Sequence, residues 1–270
     1  MTRAPFARAQ GKLALAVGFT SRALSASWLL AVPCMGQAPK PLPPIDTDRP
    51  DLTDGAATVA RGHVQLESGY TLVWSRDGLL SLSVPELFAR IGIFAGAELR
   101  VGETFRRSDP GPGVAALRGW DDLQLGTKIR LLPQSGSRPA VSVEAFTSLP
   151  TGAAAISAGR VLPGGALLAE WDGDGPWSIG AELQAARGAD EGVSWAPSLS
   201  IQFRPADPVQ FYGEFYMLQS TGATAPGESY FNTGVLFLLA NNVQVDARIG
   251  IGLNHAAARS YFGMGLALRR

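Results

Sequence analysis

Four carboxylates crowd one short stretch near the start of the chain, Asp46, Asp48, Asp51 and Asp54, with Arg49 and Pro50 between them. Closely spaced oxygen donors are what calcium takes. The EF-hand spacing is absent and Pro50 stiffens the middle, so calcium is the weaker reading. The stronger one makes Asp46, Asp48, Arg49 and Asp51 a periplasmic motif that folds against the mouth of a larger domain and partners its arginines. The two histidines, His63 and His255, have no metal-ligand companion at helical or hairpin spacing, and no Gly-x-Ser-x-Gly elbow occurs. A lipid hydrolase with a Ser–His pair is the enzymatic alternative; the expectation is no enzyme, no metal and no cofactor.

The other residues able to do chemistry are spread along the chain at alternating positions. Glu67, Glu86, Arg90, Glu98, Arg100, Lys128, Arg130, Glu144, Glu214, Asp246 and Arg248 each sit on the polar side of a two-residue alternation, as do Asp122, Glu182 and Arg204. Both signs are present. Such a set lines a polar conduit and sets its selectivity, or its members pair and partly fill a narrow lumen. Neighbours such as Glu86 and Arg90 against Glu98 and Arg100, joined by a short turn, are expected to pair across a hairpin.

The alternation is that of half-buried strands. Leu123, Leu125, Ile129 and Leu131 oppose Gln124, Lys128 and Arg130; Val243, Val245, Ala247, Ile249 and Ile251 oppose Gln244, Asp246 and Arg248. Twelve strands are expected near 64–74, 79–93, 97–106, 120–132, 140–149, 165–171, 177–186, 193–204, 208–219, 229–239, 243–253 and 259–268. The second carries Pro85, where the alternation changes phase, which predicts a bulge. Connections alternate short and long, as in an up-and-down barrel with periplasmic turns and outer loops. A soluble sandwich shows the same alternation but has no reason to keep that parity. Trp74, Trp120, Trp171, Trp177 and Trp195 fall near strand ends, where interfacial girdles sit.

Composition agrees. Lys plus Arg and Asp plus Glu are both 23, so the chain is neutral and lacks the basic excess of a nucleic-acid binder. Residues 1–38 resemble an export signal: Arg3, Arg8 and Lys12, then apolar stretches, then Gly36-Gln37-Ala38 for cleavage. Arg22 and Pro33 leave no uninterrupted apolar span for an anchor. Cys34 is the single cysteine, so removal of this leader leaves a mature chain with no thiol for disulfides or zinc. Residues 39–62 then form an N-terminal periplasmic segment, and 63–270 a closed, antiparallel, all-β barrel.

Several blocks resemble a known family: Asp46-Thr47-Asp48-Arg49-Pro50-Asp51, Gly62 to Tyr70, Pro85 to Gly92, Ala97 to Gly102, Ser148 to Gly152, Asn241 to Asp246 and Gly263 to Leu266. The family is one of outer-membrane β-barrels labelled as transporters and as components of the meta-pathway of phenol degradation. The resemblance covers about residues 45–270. It implies a bacterial outer-membrane barrel passing small, aromatic or hydrophobic molecules, with outer-membrane lipids and the barrel-assembly machinery as partners and the solute unassigned. Barrels of this kind end in an aromatic residue read during assembly, whereas this chain ends Leu268-Arg269-Arg270, a departure that bears on assembly rather than on fold.

Overall fold

The computed structural model describes residues 42–111, 115–189, 192–221 and 226–270. The expected leader and its cysteine lie outside these. Thirteen strands follow one another: β1 Val64–Trp74, β2 Leu80–Phe94, β3 Ala97–Ser108, β4 Leu117–Trp120, β5 Leu123–Leu132, β6 Ala140–Leu149, β7 Leu162–Asp172, β8 Trp177–Arg187, β9 Val193–Ala206, β10 Val209–Ser220, β11 Glu228–Ala240, β12 Val243–Gly252 and β13 Ser260–Arg269. Sequential strands pair antiparallel, except that β4 and β5 both pair with β3, and β1 pairs with β13, so the sheet closes on itself.

The strands match the sequence expectation with one division. The stretch expected as a single strand over 120–132 is split into β4 and β5 at Asp121-Asp122. β4 pairs with the far end of β3, Phe105 opposite Trp120, and β5 with the near end, Gly102 opposite Gln124. The reason is local. The Asp122 carboxylate accepts from the backbone N–H groups of Gly152 and Ala158 at 3.0 and 2.8 Å. It therefore serves the neighbouring loop and turns out of the ladder. The register between β2 and β3 shifts between Ser83 and Glu86, bracketing Pro85 as the phase change predicted.

The two faces are inverted relative to a soluble protein. Outside, Leu66, Leu167, Ile201, Phe211, Ile249 and Met264 are exposed all round the barrel. Inside, Arg90, Lys128, Glu98 and Glu214 are at most 1% exposed. An apolar belt this continuous suits acyl chains and not water. With every strand but β4 about ten residues or longer, the sheet is long enough to cross a bilayer. Trp74, Trp120 and Trp195 fall at the long-loop end of their strands, and Trp171 and Trp177 at the short-turn end. The chain is thus a membrane-spanning barrel.

Candidate functional site

The Asp-rich segment does not stop at the mouth of the barrel. It runs inside. Ile45 donates its N–H to the Asn241 carbonyl, 2.8 Å away, in the short turn between β11 and β12. From there the chain climbs the lumen through Asp48 and Arg49. It turns around Asp51 and Leu52, where Leu52 packs on a cluster of Tyr216, Tyr230 and Tyr261. It then descends through Asp54, Ala56 and Val59, and Gly62 bonds the Gly92 carbonyl beside the start of β1. The result is a hairpin-shaped plug inserted from the short-turn end. Strands β1–β3, β5–β10, β12 and β13 each contribute a polar contact to it.

The wall explains why the plug is acidic. On β2 and β3, Arg90 lies directly opposite Arg100, and Lys128 follows on β5. Three cations on one face repel. Asp48 enters between them, at 3.2 Å from Arg90, 3.0 Å from Arg100 and 3.1 Å from Lys128. Burial would raise its carboxyl, but these three cations hold it well below the ordinary carboxylate range. The complementary arrangement holds Arg49, whose guanidinium bonds Glu86 at 2.8 Å and lies 3.5 Å from Asp246. Higher up, Glu214 accepts from the N–H groups of Leu52 and Thr53 and from the Thr53 hydroxyl. Glu182 accepts from the Asp54 N–H, and Glu170 from that of Ala56. Ser200 donates to Asp51 at 3.0 Å, and Arg248 to the Pro50 carbonyl at 2.6 Å.

Glycines make room for the plug. A Cβ built on Gly265 meets the Arg49 guanidinium, and one on Gly92 meets the backbone carbonyls of Val59 and Ala60. At Gly92 no side chain fits without moving the hairpin backbone, and at Gly265 the Arg49 guanidinium would have to give way.

Most of the candidate lumen residues are therefore gathered in one network: Glu67, Glu86, Arg90, Glu98, Arg100, Lys128, Glu144, Glu214, Asp246 and Arg248. The expected hairpin pairing is present for Arg90 and Glu98, at 2.8 Å. It is absent for Glu86 and Arg100. Glu86 is taken by Arg49, and Arg100 pairs with Asp48, Asp54 and, from β6, Glu144. Arg130 stays out of the network, exposed at the short-turn rim beside Gly96. Arg204 is likewise exposed and bonds Gln210. The Asp48, Asp54 and Glu144 carboxylates come together, but Arg100 already bridges them, as an ion pair and not a vacant metal cage. The tyrosine cluster escaped the sequence reading. Its only sequence signal is that Tyr216, Tyr230 and Tyr261 share the inward parity of their strands.

The long-loop half of the lumen is hollow. A recess open to solvent is lined there by residues including Asp122, Gln124, Phe146, Ser148, Gln184, Arg187 and Ser194. A second recess shares Gln124, Phe146 and Gln184 with it and reaches down to Asp48, Asp54 and Arg100 on the face of the plug.

The fold is shared with solved membrane barrels. An outer membrane channel from Pseudomonas putida F1 superposes with a TM-score of 0.62 at 13% identity, over 79% of this chain and 96% of that one. The NanC porin matches with a TM-score of 0.50 at 7% identity, over 76% of this chain and 98% of its own. The KdgM porin matches with 0.50 at 10% identity, over 75% and 98%. No curated protein matches the chain. A family model matches residues 47–269, from the plug to the last strand, and the chain accordingly belongs to the family described as "Putative MetA-pathway of phenol degradation".

Proposed function

We propose that this chain is a channel for small molecules in a bacterial outer membrane, surrounded by outer-membrane lipids and closed in this state by its own N-terminal hairpin. The observation that carries the reading is the nature of the plug–wall contact. The hairpin is held by ion pairs and hydrogen bonds and not by a continuous apolar core. A wall that carries Arg90, Arg100, Lys128, Glu86, Glu98 and Asp246 remains wettable when the hairpin shifts, so displacement leaves a polar bore. The hollow half above it is already open space. Channel and porin structures of the same fold support the reading. The family's description suggests aromatic solutes as cargo. A lipid hydrolase is disfavoured, because the His63 ring contacts the Arg61 carbonyl and His255 lies exposed in the 253–259 loop.

Planar-bilayer recording of the refolded protein tests this. Gly92→Val places a side chain against the backbone of the returning hairpin arm. It is expected to give larger and more frequent openings than the wild type while keeping heat-modifiable migration on gels. Silence of both proteins would instead identify a closed, structural barrel.

A further inference from the structure

The long-loop ends of β3 and β4 carry two arginines that the lumen network does not use. On β3, Arg106 points inward and pairs with Asp121. Arg107, one residue on, points outward with the parity of Leu99 and Phe105. Directly opposite Arg107 on β4 stands Arg118, and both are exposed. Like charges directly opposed across an antiparallel pair destabilise it. Among the described residues neither guanidinium takes part in an ion pair; Arg118 lies over the Phe105 ring, 5.9 Å from its centroid. The nearby acids do not compensate them. Glu103, lower on the same face, is buried with a partner of its own, and Asp109 is exposed to water just past the end of β3.

What lies beneath the two arginines decides the ligand. In the next pair down the same face, Phe105 stands opposite Trp120, edge to face, with ring centroids 5.2 Å apart. Leu82 flanks Arg107 on β2. Successive positions on one face of a strand are about 7 Å apart. Two cations thus stand just above an aromatic pair at the outer end of the apolar belt, the level at which aromatic girdles meet lipid headgroups. We propose that Arg107 and Arg118 bind a phosphate group of an outer-leaflet glycolipid, whose acyl chains lie over Phe105, Trp120 and Leu99. Opposed residues hold their Cβ atoms roughly 5 Å apart, so two guanidinium forks can share one phosphate. A free phosphate would satisfy the charges and leave the aromatic pair unused. The inference rests on the outer-membrane placement of the barrel and not on conduction through it.

Lipid binding to the full chain, refolded in detergent, tests the site. The probes are diphosphoryl lipid A and the same lipid stripped of its phosphates, with inorganic phosphate as competitor, and native mass spectrometry reads the bound fraction. The diphosphoryl lipid is expected to bind about tenfold more tightly than the stripped one. Replacing both arginines, Arg107→Gln with Arg118→Gln, is expected to abolish that preference. Arg259→Gln removes another exposed cation at the same end and should leave it intact. Heat-modifiable migration checks that each barrel is folded. Equal binding of the two lipids, binding of neither, or a preference that survives in the double variant would overturn the proposal. So would an equal loss in Arg259→Gln, which would mean diffuse charge, or displacement of the lipid by an equimolar amount of inorganic phosphate, which would mean a free-anion site. Planar-bilayer recording keeps this reading apart from the channel. Lipid preference in a silent protein sinks the channel and leaves the site; conduction without lipid preference sinks the site and leaves the channel.

Discussion

The two halves of the lumen solve opposite problems with the same twelve-stranded wall. In the short-turn half the wall is densely charged and the space is filled by protein. In the long-loop half amides, hydroxyls and apolar side chains stand among a few charges, Asp121, Asp122 and Arg187, and the space is open. Arg90, Arg100 and Lys128 are tolerable at 8% exposure or less because Asp48 sits among them. A buried charge is kept only with partners, and here part of the partnership comes from the N-terminal hairpin rather than from the wall itself. Gln124 and Gln184 need no such partner, since water or a solute satisfies them. Dense charge therefore marks where the protein closes its own lumen, and sparser charge among neutral polar groups marks where it leaves room.

The comparison breaks most visibly at Asp48. Asp48→Asn removes the one carboxylate charge shared by Arg90, Arg100 and Lys128, and loss of one partner from a buried ion network costs about 3–5 kcal/mol. The expected outcome is an unseated plug, read as more frequent openings and as faster protease cleavage within 45–59. Unchanged conductance would mean that the acidic motif is not what holds the hairpin.

A paired substitution sharpens the contrast between the halves. Ser200 is fully buried and donates to Asp51, so Ser200→Arg is expected to displace the plug. Alternation alone would have made it harmless, as for any lumen position. Gln124→Arg faces the hollow half and is expected to insert normally. Its neighbour Leu125 points outward at 37% exposure, and Leu125→Arg should cost about 2–4 kcal/mol if it lies near the bilayer midplane. Urea-unfolding midpoints in lipid vesicles compare the three. Equal tolerance of Ser200→Arg and Gln124→Arg would erase the distinction between the halves.

The smallest effect is expected from mild acid. Burial raises the Asp51 carboxyl, and Glu214 raises it further; burial also raises Asp46. Raised acids favour the docked hairpin at low pH and lose that contribution as pH rises through their folded-state values. Asp48 is shifted the other way, so its contribution is lost only when pH falls below the ordinary carboxylate range. Between about pH 7 and about pH 5 the plug should therefore stay seated or tighten. Openings that grow more frequent over that interval would show that wall acids, not those of the hairpin, control docking.

Alternation in the sequence was sufficient for the strands, the inward parity of the charged residues and the placement of Leu125 and Ile201 on the outer face. A two-residue period is a property of the backbone, legible without knowing what the strand packs against. The Asp46–Asp54 motif was likewise visible, and so was its appetite for arginines. Its location was not. A segment at the mouth and a segment inside the barrel have the same local sequence, and they differ only in whether the enclosed space accepts it. That space depends on Gly92 and Gly265, which are separated by most of the chain and brought to the same lumen by closure of β1 on β13. The division of the lumen into a densely charged, filled half and a sparsely charged, open half was decided in the same way. Parity says which side of the sheet a residue faces. The height at which it stands, and what stands opposite, come only from the register of the closed barrel.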